Sequence, residues 1–444
     1  MIKVIAKSGF AMVLAAGLLF GAASAHAQDL SYDRYAAVYA KEPRAPSNLQ
    51  KWLLHFPVYP FELIRWPMDR SLNLVEEYHL DTKTEWIYNQ IKNRGISPKV
   101  KILSLKSLGA GVEIDFIRLA KKRHVLPDAI LKGWIQRYGL SQFNTGGRVG
   151  MQRIADTGLS VVGHFEYDKR SLEHFYGIGP NTSRGEGFVY GLETTKVQAE
   201  VGYEWNPSWQ LDTFMNYRNV NTNGGKDGGR GQIGDGIFSA PTVAGIDGDS
   251  LIGIGVMLEY DTRNQGQNST KGGRRNIELS YHEGLNSSEA RYLKYGAEVS
   301  HYLNLWSERR VLAFHFLGEH NDELNGGEVP FHQMPKLGGY GLSPHLSHTL
   351  RGFDDNRFTD ESALLFNLEY RYTIWEYRYY KVDAVIFADE GQVFDEFSRF
   401  QWKDFRESYG VGLRLNAANV SLLSIELAHG DEGTNVYVKS QMPF

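Results

Sequence analysis

The stretch Lys196-Val197-Gln198-Ala199-Glu200-Val201-Gly202-Tyr203-Glu204-Trp205 decides the fold class. Successive side chains of a strand point to opposite faces, so Val197, Ala199, Val201, Tyr203 and Trp205 share one face. Lys196, Gln198, Glu200, Gly202 and Glu204 share the other. The same period of two sets Ile252, Ile254, Val256, Leu258 and Tyr260 against Gly253, Gly255, Met257, Glu259 and Asp261. It also sets Tyr409, Val411, Leu413 and Leu415 against Ser408, Gly410, Gly412 and Arg414. Alternation fits a soluble sandwich, whose apolar face meets a second sheet, and a membrane barrel, whose apolar face meets lipid.

Three further features separate the two: the start of the chain, the aromatic residues that end the apolar stripes, and the terminal Phe444. A basic Met1-Ile2-Lys3 with Lys7, an uncharged run over 8–25 and Ala25-His26-Ala27 read as a cleaved signal peptide over 1–27, with Gln28 as the mature N-terminus. The apolar core is short for the ~20 residues of a spanning helix, and no comparable run follows. A mature chain without such a helix is either soluble and secreted or enters a membrane as a closed barrel, the other structure that satisfies every backbone group in lipid. Aromatic residues at the ends of the apolar stripes fit an interface girdle. Composition agrees: 25 Tyr, 23 Phe and 47 Gly suit strands and turns, and the absence of Cys removes thiolate metal sites and cysteine nucleophiles. A formal charge of -4 lacks the basic excess of a nucleic-acid binder.

The expected fold is therefore an all-β, antiparallel transmembrane barrel of about 16 strands over 99–444, with a short N-terminal helical arm over 28–98, periplasmic or plugging the lumen. The arm is rich in proline, and its helix is expected over 81–95, capped by Asp81 and stopped by Gly95 and Pro98. Strands are expected at 109–119, 129–138, 147–155, 158–169, 187–194, 196–205, 208–219 and 252–262, then at 274–284, 291–303, 309–320, 362–374, 379–390, 408–416, 420–429 and 434–443. Lys99–Lys106 is either one more strand or an extension of the first. Two long connections, 220–251 and 321–361, fall at the same end of the barrel.

In the second long connection the chain resembles the bacterial surface antigen superfamily, the outer-membrane barrel type of BamA, TamA and two-partner secretion transporters. The residues that carry the resemblance are Met334-Pro335-Lys336-Leu337-Gly338-Gly339, Leu350-Arg351-Gly352-Phe353, Asn367-Leu368-Glu369-Tyr370-Arg371, Phe387-Ala388-Asp389-Glu390-Gly391 and Tyr409-Gly410-Val411-Gly412-Leu413-Arg414. Phe175-Tyr176-Gly177-Ile178-Gly179 and Tyr260-Asp261-Thr262-Arg263 precede them in the family's order. The resemblance implies a loop tip, Arg351-Gly352-Phe353, folded into the lumen, with Arg351 meeting Glu369 and Asp389, the latter within a motif closed by Gly391. Parity agrees independently: if Leu364, Phe366, Leu368, Tyr370, Tyr372, Ile386 and Ala388 face lipid, then Asn367, Glu369, Arg371, Phe387 and Asp389 face inward. Residues 28–98 do not read as the periplasmic POTRA repeats of relatives, so the chain resembles a bare-barrel member. Phe444, with Met442 on the same face, resembles the terminal aromatic signal read by the cell's barrel-assembly machinery.

Other constellations carry less. Gly248-Asp249-Ser250-Leu251 spells an esterase signature, but a strand follows where the chemistry needs a turn into a helix. His332, His345 and His348 have metal-ligand chemistry yet lie in a loop without a matching acid or cysteine pair, and read as solvated. Asp354, Asp355 and Asp360 lack calcium-loop spacing. No metal and no cofactor is expected. Three functions fit: a barrel of the assembly and translocation type handling polypeptide or lipid through a lateral seam between its first and last strands, a passive or gated channel, and an outer-membrane enzyme such as a phospholipase. The first is preferred and is not enzymatic, with outer-membrane lipid, polypeptide clients or other outer-membrane proteins as partners and no nucleic acid.

Overall fold

The computed structural model describes residues 90–444 except 105–106, 123–124, 140, 225–242, 267, 287, 342–345, 378–379 and 418–419. The expected signal peptide over 1–27 and residues 28–89 of the expected arm lie outside the described residues; 90–93 are helical, where the sequence places the end of its helix.

Sixteen strands form one antiparallel sheet in chain order. They are β1 (Ile96–Ser104), β2 (Ser107–Asp115), β3 (Ala129–Tyr138), β4 (Gln142–Met151), β5 (Leu159–Phe175), β6 (Phe188–Asn206), β7 (Trp209–Gly224) and β8 (Asp249–Asp261), followed by β9 (Gly272–Gly284), β10 (Arg291–Asn304), β11 (Arg310–Glu323), β14 (Ser362–Tyr377), β15 (Tyr380–Phe394), β16 (Arg406–Ala417), β17 (Val420–Gly430) and β18 (Gly433–Lys439). Between β11 and β14 the chain makes a two-stranded ribbon, β12 (Lys336–Leu337) with β13 (Phe358–Thr359).

The count of sixteen is reached by a different partition from the expected one. Segments 187–194 and 196–205 are a single strand, β6, paired along its length with β5 and β7. The place this frees is taken by β1, which begins at Ile96 and is a strand of its own. β2 stops at Asp115 because that side chain accepts a hydrogen bond from the Arg118 amide and caps a one-turn helix, Phe116–Leu119. β4 begins at Gln142 and ends at Met151, short of the left-handed Ala155 and Asp156. The last strand ends at Lys439 rather than at 443.

Side-chain exposure follows the period of two. Val197, Val201, Tyr203 and Trp205 are exposed, as are Ile254, Val256, Leu368, Ile386, Tyr409, Val411, Leu427 and Val436. Their neighbours in sequence Met257, Asn367, Glu369, Phe387, Asp389, Glu426 and Tyr437 are buried. In water such an apolar belt would aggregate; around a barrel it is the surface that lipid covers. Ile386, 61% exposed and mid-strand, is a direct probe of this. Ile386→Arg is expected to cost about 2–4 kcal/mol in urea unfolding of vesicle-embedded protein. A cost near zero would place that face in water.

Connection lengths differ between the two ends of the barrel. The long ones after β5, β7, β11 and β15 lie at one end, which in outer-membrane barrels faces the cell exterior; at the other end the longest is 116–128, which carries the one-turn helix. The lumen at that end is filled. Phe175, Phe188, Tyr190, Val243, Ile246, Tyr292, Val329, Phe331 and Met334 form one apolar cluster. Leu317, Leu337, Leu346, Leu350, Phe353, Phe358, Ala363, Leu365 and Val393 form a second, so the connection between β11 and β14 packs on the inner wall.

Candidate functional site

The connection between β11 and β14 reaches its tip at Leu350-Arg351-Gly352-Phe353. Gly338 and Gly339 turn the chain with φ of +130° and +62°, and Gly339 then bridges Leu350. Leu350 settles against Gly391 of β15: a Cβ there would stand 3.3 Å from the Leu350 methyl and 3.0 Å from that of Leu337. Gly352 has φ +92°, and a Cβ on it would stand 2.8 Å from the Ser408 Cβ and 3.1 Å from the Gly430 amide. The tip is therefore pressed on the hairpin of β16 and β17.

That placement buries the Arg351 side chain completely. Nε and Nη2 donate to the two oxygens of Asp389 at 2.7 and 2.6 Å, and the Arg351 amide adds a third bond to Oδ2 at 3.1 Å. Nη1 donates to Glu369 at 2.6 Å and to Glu426 at 3.0 Å. The guanidinium carbon lies 3.5 Å from the centre of the Phe387 ring. Burial works against the charge, but Asp389, Glu369 and Glu426 outweigh it and hold the Arg351 pKa well above that of a free arginine.

Two of the three carboxylates, Glu369 and Glu426, also serve other arginines. Arg414 donates to Glu369 at 2.6 and 2.8 Å and to Glu426 at 2.7 Å, and Arg371 Nε donates to Glu369 at 2.8 Å. Three arginines thus face three carboxylates in a neutral cluster, the condition under which buried charge is tolerated. Gly410 and Gly412 make the room: a Cβ at the first would overlap the Phe387 ring, and at the second it would stand 2.7 Å from Cγ of Glu426. Glu369 and Asp389 both accept from Arg351, and Phe353 adds its carbonyl as acceptor for the Tyr437 hydroxyl at 2.7 Å. The same hydroxyl accepts the Gly352 amide at 3.0 Å. Glu426 and the bridging role of Arg414 escaped the sequence reading, although Arg414 stands on the inward face and an unmatched inward charge calls for a partner.

Further out, the same connection is tied to its neighbours. Asp354 receives a forked pair from Arg184 at 2.8 and 2.9 Å, and Arg357 donates to Glu432 at 2.8 and 2.9 Å and to Thr182 at 2.8 Å. Gly179, at the end of the Phe175–Gly179 motif, donates its amide to Thr359 at 2.8 Å. The connection thus touches β14 to β18 and, further round the wall, β5, β10 and β11. Among the described residues no hydrogen bond joins it to β1–β4.

Among the described residues the edges of the sheet are joined by hydrogen bonds at Ile102 and Ser440. Ser440, one residue past β18, donates its amide to the Ile102 carbonyl at 3.0 Å, and its hydroxyl accepts the Ile102 amide at 2.8 Å. Among the described residues no ladder pairs β1 with β18, whereas β17 and β18 share seven register pairs. The chain then turns into the lumen. The Pro443 carbonyl accepts the hydroxyls of Ser347 and, at 3.3 Å, Thr349. Phe444 stacks on His315 at 4.9 Å, and Met442 is buried. His315 is itself held by Glu298 at 2.9 Å and Asn367 at 2.7 Å.

The weaker constellations are dispersed. Ser250 lies in β8 and bonds Asn219 at 2.8 Å, while Asp249 points to the opposite face, 3.4 Å from His332. The expectation of solvated histidines is not met: His332 is enclosed, and His348 bonds Glu319 at 2.5 Å because the connection folds inward. His345 lies outside the described residues. Asp355 accepts the Tyr340 amide and Asp360 the Glu361 amide, so these acids and Asp354 each have separate partners.

Among solved structures, BamA from Haemophilus ducreyi lacking POTRA domains 1–3 has the same fold, with a TM-score of 0.56 and 18% identity, over 78% of this chain and 68% of that one. CdiB from Escherichia coli matches with a TM-score of 0.51 and 13% identity, over 78% of this chain and 62% of that one. No curated protein matches the sequence. Residues 136–436 match the Omp85 superfamily domain.

Proposed function

The chain belongs to the Omp85 superfamily, and from that premise we propose that it acts in the outer membrane on polypeptide, through the seam between β1 and β18. The observation that carries this is the near absence of pairing at the seam. In lipid every backbone group needs a partner, and a barrel supplies them by closing. Among the described residues closure rests on Ile102 and Ser440, which leaves most of the β1 edge without a described partner and able to pair with an added strand. The buried cluster around Arg351 braces β14 to β18 from inside, so among the described residues the connection between β11 and β14 holds one side of the seam and not the other. In this reading Arg351, Glu369 and Asp389 are positioning residues: they fasten a loop and carry out no chemistry.

Depletion of the protein tests the reading. The outer-membrane proteome is expected to lose one or more other proteins, with their unfolded forms accumulating in the periplasm or their secreted forms missing outside. An unchanged proteome together with conductance of the purified barrel in planar bilayers would assign it to the channels instead.

A further inference from the structure

The connection between β15 and β16 folds outward rather than into the lumen. Phe394 has the same outward parity as Ile386, yet it is 3% exposed, because Phe397 and Phe400 of this connection lie over it. Two one-turn segments, Phe397–Arg399 and Trp402–Asp404, gather its aromatic side chains into one cluster. Phe397 and Phe400 lie 5.4 and 5.5 Å from Phe394. Trp402 stacks on Phe405 at 5.7 Å, and Phe405 reaches Phe366 on the outer wall at 6.0 Å. Phe397 also meets His320 of β11 at 5.1 Å.

The cluster leaves its far side bare: Phe397 is 63% exposed and Trp402 74%. Its height on the barrel follows from register. Phe366 pairs with Glu390, and Glu390 pairs with Glu407, both on the outer face. Carboxylates on that face are tolerated only beyond the hydrocarbon, whereas the next outward pairs below, Ala388 with Tyr409 and Ile386 with Val411, are apolar. The bare aromatic surface therefore stands at the upper boundary of the lipid belt and is continuous with it through Phe366. Aromatic rings are favoured at that depth, where their apolar bodies meet acyl chains and their polar edges meet headgroups.

We propose that the 395–405 connection is a membrane anchor, whose Phe397 and Trp402 insert into the interface of the outer leaflet beside β14 and β15. The partner is bilayer lipid. The chain has no cysteine, so Trp402→Cys and Phe397→Cys each give one unique attachment point for a nitroxide. The labelled full-length chain is reconstituted into phosphatidylcholine vesicles, and collision rates are measured with oxygen, which concentrates in lipid, and with a water-soluble nickel chelate. Asn325→Cys, on an exposed turn at the same end, is the aqueous reference. The oxygen-to-nickel ratio at 402 and 397 is expected to exceed that at 325 several-fold. A ratio equal to that at 325 overturns the proposal. So does spin–spin broadening that disappears on dilution with unlabelled protein, which would assign the patch to contact between copies. If one variant fails to fold, the other gives the same reading.

Discussion

Arg351→Ala is expected to lower the stability of the reconstituted barrel by about 3–5 kcal/mol, read from urea unfolding followed by tryptophan fluorescence. The size follows from what is left behind. Among the described residues Asp389 accepts its side-chain hydrogen bonds from Arg351 alone, so the variant strands a carboxylate that is 0% exposed. Glu369 and Glu426 keep Arg414, which softens the loss at those two sites but leaves three carboxylates facing two arginines. Arg351→Lys is expected to restore only part of the loss, since an ammonium cannot donate side-on to Asp389 while reaching Glu369. In a double-mutant cycle, Arg351→Ala with Asp389→Ala is expected to cost clearly less than the sum of the single changes. Additive costs would mean that the two residues do not act as a pair.

Gly352→Ala is expected to release the same tip by a steric route, with a cost of roughly 2–3 kcal/mol and new trypsin cleavage after Arg351. The position combines a φ of +92° with strand backbone on the far side, so a methyl group finds no soft neighbour to displace. Gly326 isolates the conformational part. It also has positive φ, +72°, but no atom lies within 4 Å of the place its methyl would take, so Gly326→Ala is expected to cost about 1 kcal/mol and to leave Arg351 protected. Equal effects at the two glycines would show that backbone strain alone, and not contact with the wall, explains the loss.

How much of this was legible in the sequence depends on which forces set each feature. The bilayer enforces alternation wherever a strand crosses lipid, and β8, β14, β15 and β16 were readable for that reason. β6 was split because Glu193 and Thr195 interrupt its outward stripe where the strand rises out of the belt, although its hydrogen bonds to β5 and β7 continue. Parity placed Glu369 and Asp389 inside but says nothing of height. Glu426 joins the cluster because the β16–β17 register sets it opposite Gly412, and register across strands is fixed by stagger around the whole barrel. The inward turn of residues 440–444 had one local sign, Pro443, which has no N–H to give to a ladder.

The central claim is that the seam at Ile102 and Ser440 opens in use. Cysteines introduced as Ile102→Cys with Ser440→Cys, in a chain that otherwise has none, allow the two edges to be joined by oxidation and released by reductant. The measurement is rescue of depleted cells by this double variant, with the crosslinked fraction followed on gels. Crosslinked protein is expected to fail to restore the lost outer-membrane or secreted proteins, and reductant is expected to restore them, while each single variant works throughout. Full rescue by protein that is crosslinked at the seam would contradict the account.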